Sequence, residues 1–126
     1  MKKIYWLIIS LLIILPISVE AKKDVYLFHD YTCMHCKAEI EYLNSVKDTY
    51  DLDIHLYEIG DRSASYYKDN VALFDKVVDK LSINKSKKTP FTIIGDRYYI
   101  GFDDSTEKSM DNLLKDFDNS IKRVDE

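Results

Sequence analysis

At 126 residues the chain is long enough for one domain with a modest core, and its 18 basic and 22 acidic residues leave a net charge of −4. That balance excludes a nucleic-acid-binding protein, which needs a basic face to neutralise phosphates. With 3 Gly and 2 Pro and no internal repeat, a fibrous or low-complexity chain is excluded as well.

The N-terminus stands apart. Lys2 and Lys3 precede an uncharged run from Ile4 to Val19, 16 residues long. A membrane span needs roughly 20. The run suits the apolar region of a secretory signal, and Val19 and Ala21 have the spacing a signal peptidase reads. The expected division is a signal peptide, or an uncleaved membrane anchor, over 1–21 and one domain over 22–126. Both readings place that domain outside the cytoplasm, periplasmic or secreted. Without 1–21 the basic residues fall to 16 and the acidic to 21, a net charge of −5.

Asp24 to Phe28 is short, apolar and β-rich, and reads as a strand. His29 to Cys36 follows as a loop into a helix. Ile40, Leu43 and Tyr50 then recur at helical spacing with Val46 close by, while Glu39, Glu41, Lys47 and Asp48 are expected off that stripe. Asp53 to Ile59 reads as a second strand, with Ile54, Leu56 and Glu58 on one side. Gly60-Asp61 breaks it. A helix is expected from Ser63 to Leu81, burying Tyr67, Val71, Phe74, Val78 and Leu81. Asn84 to Pro90 is a loop, with a solvated basic run from Lys85 to Lys88. Phe91 to Ile94 and Arg97 to Ile100 form a hairpin around the Gly95-Asp96 turn. Asp104 and Glu107 make an acidic variant of a capping box, and the last helix carries Met110, Leu113, Leu114, Phe117 and Ile121. The first two strands need a helical crossover and so run parallel; the last two are antiparallel. The sum is an α/β domain with a mixed four-stranded sheet, β-α-β-α-β-β-α.

Chemistry concentrates in Cys33-Met34-His35-Cys36, which holds both cysteines. A structural zinc site takes four ligands, and only His29 and His35 lie near the pair in sequence. A His29/Cys33/His35/Cys36 site for zinc or copper is one alternative. Covalent haem is excluded because Lys37 follows Cys36. A structural disulfide would close a loop of about four residues and contribute roughly 2 kcal/mol, against about 4.7 for a 100-residue loop. The remaining reading is redox. At a helix start the unpaired N–H groups and the dipole favour a negative sulfur, which makes Cys33 the nucleophile. Cys36, one turn on and in register with Ile40 and Leu43, is the buried resolving thiol. His35 is expected to tune the Cys33 thiolate.

With Cys33-x-x-Cys36 after the first strand and "TPFTII" opening the hairpin, residues 24–122 resemble the thioredoxin superfamily, most closely its exported, Dsb-type members. The resemblance implies a thioredoxin-like fold and a cis bond before Pro90, packed against the cysteines. It implies that the Thr89 backbone holds substrate peptide as an added strand. It also implies an extracytoplasmic thiol–disulfide oxidoreductase acting on exported protein thiols and disulfides, with a membrane or soluble redox partner. No cofactor is expected beyond the Cys33–Cys36 pair, and the expected state is a monomer. Thioredoxins carry a buried Asp six residues ahead of the first cysteine; here that position is Leu27, which leaves water, Glu58 or His29 as the proton relay. The other functional alternatives are a thiolate copper carrier and a binding module that retains only the fold.

Overall fold

The computed structural model describes residues 22–83 and 88–125, with side chains to Asn119. The expected signal or anchor over 1–21, most of the Lys85–Lys88 run and the Ile121 side chain lie outside the described residues. Among the described residues no helix is long and apolar enough to cross a membrane.

The chain order is β1 (Lys23–His29), α1 (Met34–Tyr50), β2 (Leu52–Glu58), α2 (Tyr67–Lys80), β3 (Phe91–Ile94), β4 (Arg97–Ile100) and α3 (Asp104–Asp125). The four strands form one sheet in the order β2-β1-β3-β4. β1 runs parallel to β2 and antiparallel to β3, and β3 and β4 make the expected hairpin. Gly95 opens its turn at φ 61, where a side chain is disfavoured.

β1 is apolar on both sides, and each side has its own cover. Val25 and Leu27 face a core with Leu43, Tyr50, Ile94, Met110 and Leu114, roofed by α1 and α3. Phe28 points the other way and packs with Phe91 under Phe74 and Val78 of α2. The Phe28 and Phe74 rings lie 4.8 Å apart, and Phe74 meets Phe91 edge-on at 5.5 Å. The fold is therefore three layers, helices on both faces of a mixed sheet.

Several local expectations shift. α2 starts at Tyr67, not Ser63, because Asp61 Oδ1 accepts from the Ser63 N–H and hydroxyl at 3.1 and 2.6 Å. That Asx turn offers the backbone an alternative to helix. Leu81, expected in the buried stripe, lies past the helix end and is 40% exposed. Leu56 is 47% exposed because β2 is a sheet edge. α3 is capped by Asp103 and not Asp104. The Asp103 carboxylate accepts from the Thr106 N–H at 2.8 Å, the reach from an N-cap to the third helical residue.

Phe74 is the largest buried side chain that α2 contributes. Phe74→Ala is expected to cost about 3–5 kcal/mol, read as a lower urea midpoint with an unchanged denaturant slope. A loss under about 1 kcal/mol would mean that α2 is not anchored by this cluster.

Candidate active site

β1 ends at His29, and the next four residues are held from two sides. Asp30 Oδ1 accepts from the Thr32 N–H at 2.9 Å and hydroxyl at 2.8 Å, and the Asp30 carbonyl accepts from the Cys33 N–H at 3.0 Å. From β2, the Glu58 carboxylate accepts from the N–H groups of Tyr31, Gly60 and Asp61 at 3.0, 2.8 and 2.7 Å. A Cβ at Gly60 would strike the Asp30 carboxylate and force it off its Thr32 bonds. Glu58, expected as a proton relay, is thus a clamp on the loop, both oxygens engaged by backbone. His29, its partner in the β1–β2 register, is half-buried, and burial lowers its basicity.

The clamped loop delivers Cys33 to the N-cap of α1, as expected, with extended backbone (φ −89, ψ 118). Its Sγ accepts from the Cys36 N–H at 3.2 Å, one of the orphan donors of the helix start. The two sulfurs are unbonded, so the dithiol form is described. Cys33 is half-buried and reachable from solvent; Cys36 is 1% exposed. Burial, then the hydrogen bond with Cys33, pushes the Cys36 thiol up to about 12. The Thr89–Pro90 bond is cis, and the Thr89 carbonyl oxygen lies 3.9 Å from Cys33 Sγ. The cis bond is as expected, and it is the Thr89 backbone that lies beside Cys33.

His35 lies on the rim. Its Nδ1 is 3.1 Å from the Phe102 carbonyl, which can only accept, so Nδ1 carries the proton. Beside it a cleft of about 440 Å³ opens between His35 and Glu41 on one wall and Phe102, Asp103 and Glu107 on the other. The hydrogen bond on the Cys33 sulfur comes from the Cys36 backbone N–H, while the His35 ring is engaged by Phe102. The alternative ligand set His29/Cys33/His35/Cys36 does not converge. Among the described residues the one group of three such side chains with ligating atoms within 4.8 Å is Asp24, Asp53 and His55.

The sequence reading misplaces Glu39. Expected on the outer face of α1, it is fully buried. Its Oε1 accepts from the Thr92 hydroxyl at 2.6 Å, and its Oε2 has no hydrogen-bond partner among the described residues. Burial pushes the carboxyl up to about 7, against the lowering effect of the Thr92 bond. Thr92 is the register partner of Leu27 across β1 and β3. The helix thus hangs an acid over the strand position where thioredoxins carry their buried Asp. The signal was present in the spacing: Cys36, Glu39, Leu43, Val46 and Tyr50 step by 3 and 4 along one helical face. Only its charge argued for the outside.

Glu39 holds its proton more tightly folded, near 7, than at the ordinary 4.5 of an exposed Glu. Below the lower value it costs folding nothing. As pH rises through the window from 4.5 to about 7 stability is lost, by about 3 kcal/mol, and above it the loss is constant. Glu39→Gln, which keeps an acceptor for Thr92, should match wild type in urea denaturation near pH 4 and exceed it near pH 8. A difference that does not change with pH would refute the buried acid.

No family model and no curated protein matches this sequence. A glutaredoxin from Archaeoglobus fulgidus superposes at TM-score 0.49 with 22% identity, over 75% of this chain and 91% of that one. A protein from Agrobacterium tumefaciens superposes at TM-score 0.60 with 23% identity, over 82% of this chain; the match spans 48% of that chain, about half its length. The second likeness is one of fold. With strands ordered β2-β1-β3-β4, a crossover helix capped by Cys33 and a cis proline opening β3, the chain has a thioredoxin-like fold.

Proposed function

We propose that the protein is a thiol–disulfide oxidoreductase that works outside the cytoplasm on exported proteins. One observation carries the reading: Cys33 caps α1 with its sulfur on the Cys36 N–H, while Cys36 is buried beneath it. A structural staple has no need of this asymmetry between an accessible and a buried thiol. The extracytoplasmic location rests on the charge-free run from Ile4 to Val19 behind Lys2 and Lys3.

In the reducing direction the Cys33 thiolate attacks one sulfur of a substrate disulfide. A Cys33–substrate disulfide forms and the other substrate sulfur leaves as a thiolate, which takes a proton from solvent. Cys36 then attacks the Cys33 sulfur, forming Cys33–Cys36 and releasing the second substrate thiolate. The substrate gains two electrons and the pair loses two; oxidation of a substrate dithiol is the same path reversed. A thiol at about 12 is a poor nucleophile at neutral pH, so its proton must leave as the S–S bond forms. Glu39, three residues on and on the same buried face, has a carboxyl near 7 and a vacant Oε2 to receive it. The Thr89 backbone, next to Cys33, aligns the substrate segment as an added strand.

Cys36→Ser should accumulate mixed disulfides on Cys33 in cells, visible as adducts that collapse with dithiothreitol, and Cys33→Ser should accumulate none. Identical behaviour of the two variants would overturn the role assignment. Glu39→Gln should slow the resolving step about 100-fold in stopped-flow turnover and leave alkylation of Cys33 within about twofold of wild type. Equal slowing of both steps would mark Glu39 as structural support only.

A further inference from the structure

The site lies at one end of the sheet, and a second cluster lies at the other. Asp24 and Asp53 are register partners on the parallel strands β1 and β2, as are Tyr26 and His55 two residues on. All four point to one face. Two carboxylates directly opposite each other on neighbouring strands repel. His55 lies against both: its Nε2 is 2.9 Å from Asp24 Oδ1 and 3.4 Å from Asp53 Oδ2. The Tyr26 ring stacks on the imidazole, centroids 4.8 Å apart and planes 15° from parallel, which fixes its orientation.

We infer that Asp24, Asp53 and His55 form a binding site for a divalent transition-metal ion of the Zn²⁺ type. Zinc binds His nitrogen and carboxylate oxygen at about 2.0–2.2 Å. Donors on adjacent corners around such an ion lie about 3.0 Å apart in an octahedron and about 3.4 Å in a tetrahedron, by geometry from that bond length. The separations of 2.9 and 3.4 Å from His55 Nε2 are of this size, and the three ligating atoms all lie within 4.8 Å of one another. One imidazole with two carboxylates suits Zn²⁺; Cu(I) prefers sulfur, and Ca²⁺ takes 6–8 oxygens. The donors are one-third to one-half exposed, so water fills the remaining positions and the affinity is moderate. Binding requires neutral His55 and displaces its hydrogen bonds to the carboxylates. The ion then takes over their charge balance and ties edge strand β2 to β1.

From Asp24 to His29 the strand advances about 17 Å, so this ion would not touch the cysteines, and the inference is independent of the redox reading. Thiols bind zinc themselves, so the test uses the full-length chain carrying Cys33→Ser and Cys36→Ser. Zn²⁺ is titrated by calorimetry, with the melting temperature and the His55 ring signals followed in parallel. One Zn²⁺ per chain, a raised melting temperature and shifted His55 signals are expected, with at least about tenfold weaker binding in His55→Ala and in Asp53→Asn. Absence of saturable binding below about 1 mM Zn²⁺ would overturn the site. So would unchanged binding in His55→Ala, an equal response to Ca²⁺, or unmoved His55 signals in the parent protein.

Discussion

The fold turns on one constraint, the burial of β1 on both faces. Val25, Leu27 and Phe28 are each at most 1% exposed, and they point to opposite sides. A strand with apolar groups on both sides must lie inside a sheet with helices above and below. That places β1 between β2 and β3 and gives each face its own cluster. It also brings its C-terminal end out among β2, β3 and α1, where chemistry can be assembled from distant segments. Because β3 runs antiparallel with Phe28 opposite Phe91, the residues before Phe91 lie beside the residues after Phe28. Thr89 and Cys33 therefore meet although 56 residues separate them.

Around that meeting point the two sulfurs have opposite environments, and the helix axis sets the difference. Cys33 sits at the N-terminus, where unpaired N–H groups favour negative charge and solvent has access. Cys36 and Glu39 lie within the first two turns and face the sheet, where desolvation favours their protonated forms. A thiol and a carboxyl one helical turn apart thus both resist ionisation, while Cys33 stays accessible at the helix end. The Glu58 clamp holds the turn that leads to Cys33 from a different strand. Glu39 and Glu58 thus have opposite environments, one buried against Thr92 and the other engaged by backbone N–H groups.

Much of this was legible in the residues. The alternation and stripes located all seven elements, and the hairpin bounds fall where Gly95-Asp96 puts them. The boundaries that moved did so through local side-chain bonds: the Asp61 turn that delays α2 and the Asp103 cap that starts α3. The Glu39 error has a different origin. Its spacing matched the buried face, but a lone carboxylate is expensive to bury, so the sequence argues for the surface. What offsets the cost is the Thr92 hydroxyl and a raised proton affinity. Neither is local to the helix.

The strand–helix order, the position of Cys33 at a helix start with Cys36 one turn inward, and the turn that closes the last hairpin are all written in the chain. These depend on contacts within a few residues and on periodicity, which the chain states directly. The burial of Glu39 against Thr92, the hold of Glu58 on a loop and the convergence of Asp24, Asp53 and His55 emerge only on folding. Those outcomes depend on strand order and register. Pairing β1 with both β2 and β3 sets residues from three distant segments within hydrogen-bonding distance, and sheet partners are chosen by burial of whole faces, not by neighbouring residues.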